Sequence, residues 1–335
     1  MKKENNSRRQ FIRQVSVAGM LLGLGKIPAA AFGPFLSITG KRIGIIGLDS
    51  SHGIEFTKIL NDVNADPKYK GFKVTAAFPN GSEQIENGTQ RIIDHTGEIK
   101  NYHVRIVNSI EELLDEVDAV MLETNDGRMH YEQALPVFKT GKPIFIDKPV
   151  AASLEDVKKI FALAEKYKTP LFSSSSFRYL DGMKTVEAGS IGKITGADVY
   201  SPAPIEKSHT DLFWYGIHGI EMLFTILGPG CKSVMRVHTA DTDIVVGTWP
   251  GERLGVMRGI RAGKKDFGGT VYGENGITTL GTNSGYGGLV EKITGFFESG
   301  IPPVKHADTI EIYAFMDAAE KSKLSDGRSI AIPIQ

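Results

Sequence analysis

Gly44-Ile45-Ile46-Gly47-Leu48-Asp49-Ser50-Ser51-His52 is the stretch that decides the fold. A buried strand, Arg42 to Ile46, runs into a tight turn at Gly47, and a helix is expected from about Ser51 to Leu60. This is how a nucleotide-binding β-α unit opens. Such a turn ordinarily reads G-x-G-x-x-G, because bare backbone lets a pyrophosphate approach the helix N-terminus. Here Asp49 and His52 stand at the second and third glycine positions. The pattern announces the architecture and puts its usual ligand in question.

Outward from that turn, strands and helices alternate. Strands are expected at Phe72–Phe78, Val104–Val107, Asp118–Glu123, Pro143–Ile146 and Pro170–Ser173. A helix falls within Gln84–His95. Ser109 caps a helix over Ile110–Asp115, one from Met129 to Lys139 stops at Gly141, and Ser153 caps a long one to Lys166. This alternation implies a parallel sheet with right-handed crossovers. Past Phe177 the pattern changes to Ile194–Tyr200, Lys232–Thr239, Ile244–Thr248, Leu254–Arg261 and Gly269–Tyr272, with turns such as Gly273-Glu274-Asn275-Gly276. Sequential strands of this kind indicate a largely antiparallel sheet. Helices are expected at Gly216–Leu227 and His306–Ser322.

The 335 residues leave room for two domains, and a formal net charge of zero gives no broad field for nucleic acid or an anionic membrane. A single cysteine, Cys231, excludes an internal disulfide framework and any multi-cysteine metal site. A small, largely uncharged substrate suits this balance better than a polyanion.

Residues 1–40 read as targeting. Ser7-Arg8-Arg9-Gln10-Phe11-Ile12-Arg13 resembles a twin-arginine export signal; an apolar stretch from Val15 to Leu24 follows, then Ala29-Ala30-Ala31 as a small-residue cleavage site. The apolar run is too short for a permanent anchor. The mature protein is expected in the periplasm, starting near Phe32. Free nicotinamide is not supplied there, so such a cofactor would have to stay bound.

Four places carry a family resemblance: the Gly44–Gly47 strand and turn, the loop from Thr124 to His130, Asp147-Lys148-Pro149, and His218 on its helix. Together they resemble the glucose–fructose oxidoreductase, inositol dehydrogenase and MocA (Gfo/Idh/MocA) family. The resemblance implies an α/β Rossmann domain with a parallel sheet, residues 41–175, followed by an α+β domain with an open, mostly antiparallel sheet, residues 176–335. It further implies NAD or NADP as cofactor, a sugar or cyclitol as substrate, and a homo-oligomer formed through the open sheet.

The resemblance makes Lys148 the residue that polarises the reacting hydroxyl and His218 the acid/base. Lys148 ends a strand where α/β sheets place ligands, and an ammonium there stabilises alkoxide character; the bland alternative is a surface lysine closing a strand. Imidazole titrates near neutral pH, and a nearby lysine favours its neutral form; the alternative is a histidine packed on a half-buried helix. The family usually carries an aspartate four residues before this histidine, where Trp214 stands here, and Tyr215 is the candidate to replace it.

Cofactor contacts are expected from Gly47, Leu48, Asp49, Ser50, Ser51, His52, Thr124, Asn125, His130 and Asp147. The second strand is followed by no acid for ribose hydroxyls until Glu83. Asp49 and Asp126 would repel a pyrophosphate unless paired, for instance by Arg128 or Arg178; alternatively Ser50 and Ser51 cap the helix and Asp49 binds its backbone. Ser176 and Arg178, in the run from Ser173 to Tyr179, suit polyol recognition, as do His209 and Asp211. His209 and Asp211, with Glu221, form the one metal-like constellation, but such groups more often line polar clefts, and no metal is expected. Besides the oxidoreductase, two readings stand: a lyase or hydratase acting on a keto sugar, and a solute-binding protein on a degenerate scaffold.

Overall fold

In a computed structural model, residues 40–281 and 285–332 are described. The export signal expected in residues 1–40 lies outside them, but for Gly40. Six strands form one parallel sheet: β1 (Arg42–Ile46), β2 (Lys73–Phe78), β3 (Arg105–Ile106), β4 (Ala119–Leu122), β5 (Ile144–Ile146) and β6 (Leu171–Phe172). Their order is β3-β2-β1-β4-β5-β6. Every residue of β4 and β5 is buried, as a sheet covered on both faces requires. The order reverses at β1, so the crevice for ligands falls beyond the carboxyl ends of β1 and β4.

Local signals explain the connecting helices. Ser109 Oγ accepts the Glu112 N–H and Ser153 Oγ the Asp156 N–H, and Gly141 ends the helix His130–Thr140 in left-handed backbone at φ 73°. The first helix spans His52–Asn61. The second is displaced from its expected place to Gly88–Ile99, because Asn87, left-handed at φ 61°, delays its start.

The second sheet runs β12-β11-β7-β10-β9-β8-β13, built from β7 (Ile194–Pro202), β8 (Ser233–His238), β9 (Thr242–Thr248), β10 (Leu254–Ile260), β11 (Gly268–Gly273), β12 (Gly276–Leu280) and β13 (Ile330–Ala331). Its pairs are antiparallel except β7 with β10. Burial alternates along β8, β9 and β10, so one face packs on the helices Ile217–Leu227 and His306–Leu324. Gly219 permits this approach: a Cβ there would lie 2.8 Å from Met257 and Ser201. The opposite face leaves Tyr200, Met235, Val237, Leu254 and Ile277 exposed.

The sequence reading contained no helix at Gly287–Ser299. Its Leu289, Ile293, Phe296 and Phe297 join Ile43, Phe56 and Phe72 in a core against the first sheet. A segment from the expected second domain thus covers a face of the first and brings Tyr286 beside His52.

Candidate active site

A cleft of about 480 Å3 opens beyond the first sheet and is bounded by both sheets' connections. Lys148, Tyr215 and His218 all line it. Lys148 follows β5, its peptide to Pro149 is cis, and its ammonium lies 5.4 Å from the Tyr215 ring centre. The Tyr215 ring meets His218 edge-on at 4.8 Å. Trp214 lines the cleft as well but packs on His209, so it supplies no acid to His218.

His218 is buried among Phe177, Tyr215 and Phe267, and its Nδ1 lies 2.6 Å from Ser175 Oγ. Burial first, then the charges of Lys148 and His52, hold its pKa well below the ordinary value. The ring is therefore neutral, with Nε2 the nitrogen left for a ligand. Glu221, one turn on, is buried and accepts the Ser175 N–H at 2.6 Å, which fixes the segment that holds His218.

At the turn, Gly47 has φ 95°, and a Cβ there would fall 2.4 Å from Thr124 N. Only glycine fits. Asp49 is fully buried and turns away from the helix: its oxygens accept the Asn125 and Ser82 N–H groups, both at 2.9 Å. Burial raises its pKa, and these two bonds partly offset the rise. Neither alternative for Asp49 is found as expected: it is not paired by an arginine, and it binds the backbone of the loops at Ser82 and Asn125 rather than that of the helix, where Ser51 makes no side-chain cap bond. Arg128 pairs with Asp126 at 2.6 Å, whereas Arg178 faces Glu221.

Ser50, Ser51, His52 and Asn125 line the cleft, as do Arg91 and His95 from the second helix. Sequence reasoning missed these last two, because an i, i+4 pair on a polar helix carries no motif. His95 Nδ1 anchors on the Leu48 carbonyl at 2.8 Å; Arg91 has no ion-pair partner among the described residues. A helix N-terminus whose first N–H alone is taken by a side chain, that of Ser50 at 3.3 Å, on the same cleft as the Arg91 guanidinium, fits a diphosphate even with two glycines replaced.

Other expected site residues lie elsewhere. Leu48 and Thr124 are buried. His130 is consumed by the Thr124 and Val150 carbonyls. Ser176 reaches the cleft, but Arg178, His209 and Asp211 do not line it. His209 Nε2 accepts the Gly127 N–H beside Asp126, and Asp211 is held by Arg236 and Lys323. His209, Asp211 and Glu221 therefore form no common site. The residues that do gather are His52, Glu123 and Asp147: His52 Nδ1 lies 2.6 Å from Asp147 Oδ2, and Glu123 is buried beside them.

A doubly wound parallel sheet, joined to a mixed sheet whose packed helix Ile217–Leu227 brings His218 to the ligand crevice, is the architecture of two-domain, dinucleotide-binding α/β proteins. Residues 41–174, two-fifths of the chain, match the GFO_IDH_MocA family model, "Oxidoreductase family, NAD-binding Rossmann fold". A probable dehydrogenase from Thermotoga maritima superposes with a TM-score of 0.69 at 21% identity, covering 87% of this chain and 98% of that one. The myo-inositol dehydrogenase of Lactobacillus casei, in complex with NAD(H) and myo-inositol, gives 0.68 at 17% identity over 88% and 97%. The 1,5-anhydro-D-fructose reductase of Ensifer adhaerens is 26% identical over 166 residues, 48% of this chain and 47% of the reductase. Alignments with the curated relatives cover from 40% to 59% of their lengths. Among the described residues, no helix is long and apolar enough to cross a membrane.

Proposed function

We propose that this chain is a periplasmic, twin-arginine-exported oxidoreductase that interconverts a sugar or cyclitol hydroxyl and its ketone with a retained NAD or NADP. The observation that carries the reading is the convergence of Lys148, Tyr215 and His218, from the two halves of the chain, on one cleft. Ser50, Ser51, Arg91 and the N-terminus of the helix His52–Asn61 would hold the diphosphate. A bound nicotinamide supplies the hydride acceptor. Lys148 donates a hydrogen bond to the reacting oxygen and stabilises its alkoxide character. His218 takes the hydroxyl proton at Nε2 while its Nδ1–H is donated to Ser175, and the imidazolium so formed returns that proton in the reducing direction. Burial around the ring excludes water from this exchange. The relatives that act on myo-inositol and on anhydrofructose support a polyol ligand. The exposed apolar face of the second sheet supports a homo-oligomer.

One feature favours a non-redox alternative: the His52 side chain lines the cleft where the family's turn has glycine. A lyase or hydratase on a keto sugar would use the same lysine and histidine with no hydride carrier. Absorbance and mass analysis of protein purified from its native host separates the two. Nicotinamide near one per chain supports the dehydrogenase; nicotinamide-free protein that still exchanges substrate protons into heavy water supports the alternative. In either case Lys148→Ala is expected to lower turnover about 100- to 1000-fold with little change in melting temperature. A large drop in melting temperature would make Lys148 structural.

A further inference from the structure

Glu123 and Asp147 leave the sheet side by side, since β4 and β5 pair with Leu122 opposite Ile146. Both Glu123 oxygens are buried without a hydrogen-bond partner, and so is Asp147 Oδ1. One ligand-capable atom from each of His52, Glu123 and Asp147 lies within 4.8 Å of the other two. Packing alone does not account for the arrangement, because a buried polar group left without a hydrogen-bond partner destabilises the fold. Nor does Lys148 resolve it: one ammonium faces two carboxyl groups, and it lies over the Tyr215 ring.

We infer that His52, Glu123 and Asp147 form a divalent-cation site, taking a borderline ion such as Mn2+ or Zn2+ through one imidazole nitrogen and two carboxylate oxygens. The donor set suits these ions: carboxylates attract hard cations and imidazole selects transition metals. Metal–ligand bonds of about 2.0–2.2 Å set tetrahedral donors about 3.4 Å apart, so donors now within 4.8 Å of one another would close in by up to about 1.4 Å, a side-chain rotation rather than a backbone shift. Three protein ligands leave a coordination position open, as in metal sites that bind substrate. His52 and Lys148 line the cleft, so the open position is turned toward it, and a ligand oxygen there would meet both the cation and the ammonium.

The test titrates chelator-treated, purified protein with Mn2+, followed by electron paramagnetic resonance, and with Zn2+, followed by calorimetry. Saturable binding of one ion per chain is expected, weakened about tenfold or more in Glu123→Gln and in His52→Gln. The Mn2+ signal should show imidazole-nitrogen coupling that His52→Gln removes. Absence of saturable binding in the wild-type protein, or unchanged affinity in both variants, overturns the inference. Because no readout involves turnover or nicotinamide, the result stands apart from the outcome for Lys148 and His218.

Discussion

His52 and Asp147 lie 95 positions apart in sequence, yet their side chains meet at 2.6 Å, joining the first turn of the sheet to the end of β5. His52 also stacks on Phe56 and meets Tyr286 edge-on. The side chain that replaces a glycine is thus part of the cleft wall that Lys148 also lines. The same reasoning separates Asp49, which also replaces a glycine but serves the scaffold.

Restoring that glycine should harm the protein. Asp49→Gly removes the acceptor for the Ser82 and Asn125 N–H groups, and the loss of such charge-assisted bonds costs about 2 kcal/mol or more. Chemical denaturation should show that drop. A variant of unchanged stability that retained more nicotinamide would show instead that Asp49 merely blocks the cofactor.

Arg91→Ala should act on the cofactor alone. Arg91 lines the cleft, is only partly buried and has no ion-pair partner among the described residues, so its removal should change stability by less than about 0.5 kcal/mol. The dissociation constant for NAD or NADP, measured after the retained nicotinamide is stripped, should rise about tenfold, a charge-assisted bond's worth, with the KM for the sugar unchanged. If the cofactor dissociation constant and the retained nicotinamide both stay the same, Arg91 is not at the diphosphate.

Acid should destabilise the fold through its buried histidines. Burial, outweighing the nearby Asp126, lowers the His209 pKa to about 4, and His218 is also lowered. Unfolded histidine titrates near 6.5, so their contribution is complete above about pH 6.5 and is lost as pH falls, by up to about 1.4 kcal/mol per pH unit for each proton. Asp49 and Glu123, raised by burial, act in the opposite sense in wild type and variant alike. Urea melts between pH 7.5 and 4.5 should therefore give His209→Gln a shallower decline than wild type. Identical slopes would mean that native His209 protonates freely.

Much of the fold could be read from apolar runs bounded by glycine and by capping serines, because those signals are local. Gly287–Ser299 escaped despite its Leu289, Ile293, Phe296 and Phe297 spacing, since a glycine-rich start masks a helix whose partner is a distant sheet. That Lys148 and His218 reach one cleft was legible through the residues around them. Arg178, His209 and Asp211 were misassigned for the opposite reason: polar type and sequence proximity do not reveal that each is already engaged by an inward partner. Glu123 read as the end of a strand, and only its lack of any partner in three dimensions marks it out.

The backbone N–H of Val150, two residues past Lys148, is claimed by the hydroxyl of Tyr313, which comes 163 positions later. On the ribosome, therefore, the reactive end of the first sheet stays unfinished until the helix bearing that tyrosine has been synthesised and docked. A nascent chain halted before that point would display the lysine without its final mooring.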